Sequence, residues 1–246
     1  MTERAPAPGP CLLLLLSTLV SGVHLQANNS SERALVYRPV LQPSESVPPT
    51  ATYTLRTPGG TACIRATLGA EFMVLDQKTW YFNLDQSRVR LSGYCGKSAA
   101  LLSLTLPDNA ASLLFYFTKE KKVFYVTKIT AHLSPLPICK NCTKRTYTGL
   151  VDHEKLFVTK GVHSFRCNSE SLLHLSSELR LKLVPLKMQA FTLVKGQYGK
   201  EVECWADYNK RVIPIIIGAA VVGLLLIALI TYLVIRDRRR TEYESL

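Results

Sequence analysis

The 246-residue sequence lacks the patterns that carry common enzyme chemistry. It has no G-x-S-x-G nucleophile elbow and no H-E-x-x-H zinc pair, and "GQYGK" lacks the spacing and context of a phosphate loop. Asp152 and Glu154 flank His153, but no second histidine or cysteine pair stands at ligand spacing, and His132, His163 and His174 are equally isolated. Catalysis, a metal and a cofactor are therefore not expected. Acidic side chains are scarce too: 18 Asp and Glu against 30 Lys and Arg leave a net charge of +12. Residues 27–211 hold 25 of the basic and 14 of the acidic groups, so +11 of the excess lies there.

Two apolar runs organise the chain. At the N-terminus a lone Arg4 precedes "CLLLLLSTLV" and the small-residue stretch "SGVHLQA", the layout of a cleavable secretory signal over residues 1–26 that is too short to span a bilayer. The second run, Val212–Ile235, contains no charged side chain. As a helix its 24 residues cover about 36 Å, enough to cross a hydrocarbon core of about 30 Å. Pro214 is expected in its first turn, where a missing N–H costs little. Arg236, Arg238, Arg239 and Arg240 follow at once and read as a stop-transfer cluster, so residues 236–246 are cytoplasmic and no nucleic acid need be invoked. The expected topology is single-pass type I, with residues 27–211 lumenal.

Removing Cys11 with the signal leaves six lumenal cysteines: Cys63, Cys95, Cys139, Cys142, Cys167 and Cys204. In an oxidising compartment these read as disulfides, with 15 connectivities open to the sequence alone. Neighbour pairing of Cys63 with Cys95 and Cys167 with Cys204 closes loops of about 33 and 38 residues. In "ICKNCT" the pair Cys139 and Cys142 follows the helix-averse "LSPLPI", which argues against a redox site on a helix N-terminus and for a local disulfide. Asn141 is also a glycosylation sequon, and Asn28 and Asn29 form two overlapping ones.

Residues 27–60, with Pro39, Pro43, Pro48, Pro49 and Pro58, read as a short extended lead-in. From residue 61 the period changes to two. Leu102, Leu104 and Leu106 alternate in "LLSLTLP", two aromatic and β-branched runs flank a charged turn at Lys119 to Lys122, and Leu179, Leu181 and Leu183 alternate with an expected solvent face of Arg180 and Lys182. Residues 61–211 are therefore expected to form an antiparallel all-β domain, followed by the one membrane helix at 212–235.

The texts "CIRATLGAEFMV", "YFNLD", "SGYCG", "LLSLTLP", "GVHSFRCNSE", "LKMQAF" and "GQYGKEVEC", with the span and a tyrosine tail after them, resemble the membrane-proximal domain of the lysosome-associated membrane glycoproteins. The likeness runs from about Thr61 to Leu246 and is greatest to the dendritic-cell lysosomal member, with macrosialin next. It implies a β-prism, disulfides Cys63 with Cys95 and Cys167 with Cys204, and residence in lysosomal and late-endosomal membranes. The mucin-like stalk of such proteins is reduced here to the lead-in, and Cys139 and Cys142 are additions to the pattern.

Tyr243 and Leu246 fit the Y-x-x-Φ sorting signal that clathrin adaptors read as an extended peptide, their side chains about 10 Å apart. Glu242 stands where family tails usually have glycine, which favours a route that cycles through the plasma membrane. Ala219 and Gly223 form a small-x-x-x-small pair suited to homo-oligomers through the span. The expected role is structural and interactive. The alternative is an endocytic surface receptor of macrosialin type, whose basic lumenal domain takes an anionic ligand.

Overall fold

The computed structural model describes residues 36–137 and 146–244. The signal at 1–26, Asn28, Asn29, Cys139, Asn141, Cys142 and Leu246 lie outside them. In chain order, β1 (Ala51–Arg56), β2 (Ala62–Leu75) and β3 (Thr79–Asn83) come first. A meander follows, of β4 (Arg90–Cys95), β5 (Ala99–Thr105), β6 (Ala111–Glu120), β7 (Val123–Leu133) and β8 (Tyr147–Lys160). Then β9 (Ser164–Cys167), β10 (Ser171–His174), β11 (Leu179–Ala190) and β12 (Glu201–Glu203) rejoin the first group. One helix, α1 (Trp205–Glu244), ends the described chain.

The meander is a five-stranded antiparallel sheet whose neighbours are neighbours in sequence. The other seven strands form one sheet built on the β2·β11 ribbon, and that ribbon changes partners halfway along. Toward one end Ile64 to Leu68 pair with Leu186 to Ala190, with β1 beyond β2 and β9 beyond β11. Toward the other, Ala70 to Val74 pair with Leu179 to Leu183, with β3 and β10 outside. The register shifts between Leu183 and Leu186, so the sheet has two facets, and the meander supplies a third. The expected antiparallel β-prism is thus what forms, with the parallel β9·β12 pair as its one exception among the described residues.

Inward residues meet in a core of Ile64, Leu68, Phe72, Leu102, Leu104, Leu113, Phe115, Phe117, Ile129, Leu133 and Leu179, all under 2% exposed. Alternation explains it: opposed residues in register share a face, so Leu104↔Leu113 and Leu102↔Phe115 point into the core together. Where the ribbon turns, Gly69 leaves room for the opposite strand; a Cβ there would stand 2.4 Å from the Val184 carbonyl oxygen and 3.0 Å from that of Pro48. Gly69→Ala is therefore expected to cost about 1–3 kcal/mol through overpacking, read as a lower thermal midpoint.

The lead-in differs from its expectation. Residues 51–56 are β1, and the segment before them is a strap stitched onto the prism by its main chain. Gln42 exchanges two backbone hydrogen bonds with Tyr81 on the open edge of β3 (2.8 and 2.9 Å), the Tyr37 N–H donates to Asp108 (2.7 Å), and the Leu136 N–H donates to the Pro39 carbonyl (2.8 Å). Proline-rich text can do this because an edge needs only every other N–H.

The strap also overturns the expected exposure of Lys182. Lys182 faces Glu71 across the ribbon on the outer side of its facet, yet its side chain is 5% exposed and that of Glu71 is 0% exposed, because Glu45 and Ser46 lie over both. The Lys182 ammonium contacts the carboxylates of Glu45 and Glu71, and the Ser46 N–H donates to Glu71 Oε1 (3.2 Å). Burial alone would lower the Lys182 pKa, but hydrogen bonds to Glu45 and Glu71 outweigh it and hold the pKa above its ordinary value.

α1 begins at Trp205, so its first turns precede the apolar run and the β domain ends before residue 211. Pro214 consequently sits inside the helix, where its missing N–H leaves the Lys210 carbonyl without its usual partner. The stretch Trp205–Arg236 is long and apolar enough to cross a membrane, and none of its most apolar part is buried among the described residues.

Candidate functional site

The groups with most chemistry gather where the prism meets α1. β12 pairs in parallel with β9, and the Cys204 N–H donates to the Arg166 carbonyl (2.9 Å), which brings Cys204 beside Cys167. The two are disulfide-bonded, Cα to Cα 5.1 Å, across 37 positions of sequence. The helix starts at the next residue. In its first turn the Asp207 carboxylate accepts from the backbone N–H groups of Asn168 (2.6 Å) and Ser169 (2.8 Å). Burial opposes the Asp207 charge, but these bonds outweigh it and hold its pKa below the usual range.

Two further ties reinforce the joint. Arg211 makes a two-armed ion pair with Glu203 (2.9 and 3.0 Å), joining the second helical turn to β12. Glu201 accepts from Lys187 (2.6 Å) and from Arg166 (2.5 Å), linking β11, β9 and β12. The Lys187 and Arg166 hydrogen bonds depress the Glu201 pKa against burial. A depressed carboxylate contributes stability above its unfolded pKa of about 4.3 and loses it as pH falls through the folded value. Because these side chains are 25–41% exposed, the contribution is about 0.2–1 kcal/mol. Glu201→Gln is expected to lower stability by that amount near neutral pH and to converge with the wild type as pH falls through the depressed folded value, as urea unfolding across a pH series would show.

Between the prism and the helix lies a cleft of about 420 Å³, lined by Arg166, Asn168, Ser169, Glu203, Asp207, Lys210 and Arg211. Trp205 and Tyr208, in the same first turns of α1, stack on each other with ring centroids 5.8 Å apart. Cys167, Cys204 and Asp207 lie within ligand distance of one another, but the two sulfurs are bonded together, so no thiolate pair is offered to a metal.

Of the residues singled out from sequence, Cys63 and Cys95 are also bonded, Cα to Cα 6.3 Å, joining β2 to β4 and so one sheet to the other. Arg236, Arg238, Arg239 and Arg240 continue α1, and so does Tyr243 in its backbone. The histidines do not converge: His132 lines a shallow cleft with Arg38 and Asp108, His163 Nδ1 lies 2.7 Å from the Lys160 carbonyl, and His174 stands opposite Arg180. Sequence reasoning missed Asp207 and the Glu71 and Lys182 pair. An acid three residues after a cysteine and just before an apolar helix was the one available sign of the former.

Residues 38–205 match the family model of lysosome-associated membrane glycoprotein 2-like luminal domains. The chain is 30% identical to human lysosome-associated membrane glycoprotein 3 over 217 residues, 86% of this chain and 50% of that protein. It is 26% identical to the mouse glycoprotein 2 over 195 residues, 78% of this chain and 45% of that one. It therefore spans about half the length of these relatives. The crystal structure of human LAMP-3 superposes with a TM-score of 0.58 at 28% identity, covering 63% of this chain and 99% of that one. The membrane-proximal domain of mouse LAMP-1 shares the fold, with a TM-score of 0.56 at 20% identity over 65% of this chain and 99% of that one. With the family model covering residues 38–205 and 30% identity over 86% of its length, the chain belongs to the lysosome-associated membrane glycoprotein family, whose members are lysosomal membrane proteins.

Proposed function

We propose that this chain is a single-pass type I component of lysosomal and late-endosomal membranes that acts through structure and interaction, without catalysis, metal or cofactor. The observation that carries this reading is the order of parts: a disulfide-bonded prism runs directly into one apolar helix, which ends in arginines and a short tail. Residues 1–26 are its signal, the prism and residues up to 211 its lumenal part, 212–235 its span and 236–246 its tail. Ala219 and Gly223 supply a contact for a second copy in the bilayer, and among the described residues nothing lies within 4 Å of where a Cβ on Gly223 would stand.

Tyr243 and Leu246 form the sorting signal, read by clathrin adaptors. The Tyr243 backbone is helical, whereas two separate pockets need the 10 Å or so that an extended peptide sets between Tyr243 and Leu246. Binding therefore unwinds the helical backbone at Tyr243. Wild-type protein is expected in lysosomes and Tyr243→Ala severalfold enriched at the cell surface, as quantitative imaging and surface biotinylation would measure; an unmoved variant would sink the signal. The excess charge of +11 over residues 27–211 supports a second reading as an endocytic receptor for anionic ligands, which saturable, salt-sensitive binding of a polyanion would favour.

A further inference from the structure

The membrane-facing end of the prism has features that the reading above leaves unused. Trp205 is 74% exposed and Tyr208 is 43% exposed, although they stack and large aromatics gain most from burial. In the adjoining cleft, Arg166 is paired with Glu201, Arg211 with Glu203, and Asp207 with two backbone N–H groups. Lys210 has no ion-pair partner among the described residues; its charge acts only at a distance on Asp207. The lining is zwitterionic, with one uncommitted ammonium.

The helix sets the height of this cleft. The charge-free run starts at Val212. At 1.5 Å per residue Lys210 stands about 3 Å above that start, Asp207 about 7 Å and Trp205 about 10 Å. The polar layer on each side of the hydrocarbon core is about 5–8 Å thick by difference, so Lys210, Tyr208 and Asp207 stand at headgroup level and Trp205 at its aqueous edge. Trp and Tyr favour that layer. The prism cannot lift away on a linker, since Cys204 is bonded to Cys167 immediately before the helix and Asp207 and Arg211 tie its first turns to the domain.

Building on the single-pass reading, we propose that this end of the domain is a contact surface for phospholipids of the lumenal leaflet. One headgroup sits in the cleft with its phosphate at Lys210 and its amine toward Glu203, while Tyr208 lies among neighbouring headgroups and Trp205 at their aqueous edge.

The sequence has two tryptophans, so Trp80→Phe leaves Trp205 as the sole reporter in the full chain. In phosphatidylcholine nanodiscs its fluorescence is expected to be at least halved by a nitroxide on the lipid headgroup and little changed by one at mid-chain. Protease protection of the tail reads insertion separately, so failure to span is told apart from failure of the contact. An inserted chain quenched by aqueous iodide and unaffected by the headgroup nitroxide overturns the contact. Lys210→Glu, checked for fold by circular dichroism, is expected to retain severalfold less phospholipid in native mass spectra of protein released from the nanodiscs, and inorganic phosphate is expected not to displace the lipid. Unchanged retention overturns the cleft assignment, and displacement by phosphate would mark a free-anion site in place of a lipid one.

Discussion

Lys182→Ala is expected to destabilise the prism by about 3–5 kcal/mol, because it leaves the fully buried Glu71 carboxylate beside no cation. The wild-type ammonium answers two carboxylates at once, and its raised pKa keeps it charged. A raised lysine pKa contributes stability that is fully present below the unfolded value of about 10.4 and lost only as pH rises through the folded one. The wild-type ammonium therefore keeps its contribution at both pH 5 and pH 7. Lys182→Met with Glu71→Leu removes both charges and is expected to recover most of the stability, since replacing a whole buried pair is often neutral. Denaturant midpoints of the wild type, Lys182→Met, Glu71→Leu and the double variant close the cycle; a Lys182→Ala loss under about 1 kcal/mol would show that water reaches Glu71.

The second large effect is expected at the Cys167–Cys204 bond. Across 37 residues the chain-entropy model assigns it about 4 kcal/mol, within the 2–5 kcal/mol usual for native disulfides. Replacing both cysteines by alanine should lower the midpoint by that much. The joint between β12 and α1 would then depend on Asp207, Arg211 and the Cys204 backbone. Adding Asp207→Asn to the cysteine-free protein should cost more than it does in the wild type, because the two ties secure the same turn. Equal costs in both backgrounds would mean that they act independently.

How much of this was legible in the sequence varied with the kind of signal involved. Side-chain alternation disclosed β5, β6, β7 and β11, since Leu102, Leu104, Phe115 and Leu179 must share a buried face and the polar turn at Lys119 to Lys122 has to reverse the chain. The disulfide pairs came from resemblance, because spacing alone leaves the connectivity open. The strap escaped notice because its pairing uses main-chain groups, which leave no side-chain period. Its presence inverts the ordinary rule at Lys182, where the outward face of a strand is covered by a segment that composition marks as a linker. The start of α1 was hidden for a related reason: Asp207, Lys210 and Arg211 break the apolar pattern, yet each is satisfied by the prism or sits at the level of the polar layer. Pro214 then falls in a helix interior that periodicity placed one turn from an end.

The β2·β11 ribbon has a consequence for biosynthesis. Ile64 is paired with Ala190 and Phe72 with Leu181, so the first long apolar strand to enter the endoplasmic reticulum waits for one of the last. The meander needs only hairpin contacts and can close while translation continues. During that interval β2 carries Ile64, Leu68, Phe72 and Val74 with only β1 and β3 as cover, the kind of exposed edge that lumenal chaperones bind. The nascent chain should thus depend on chaperone residence until β11 emerges. The last strands arrive just ahead of the membrane segment, which leaves little delay between closure of the prism and release of the helix into the lipid.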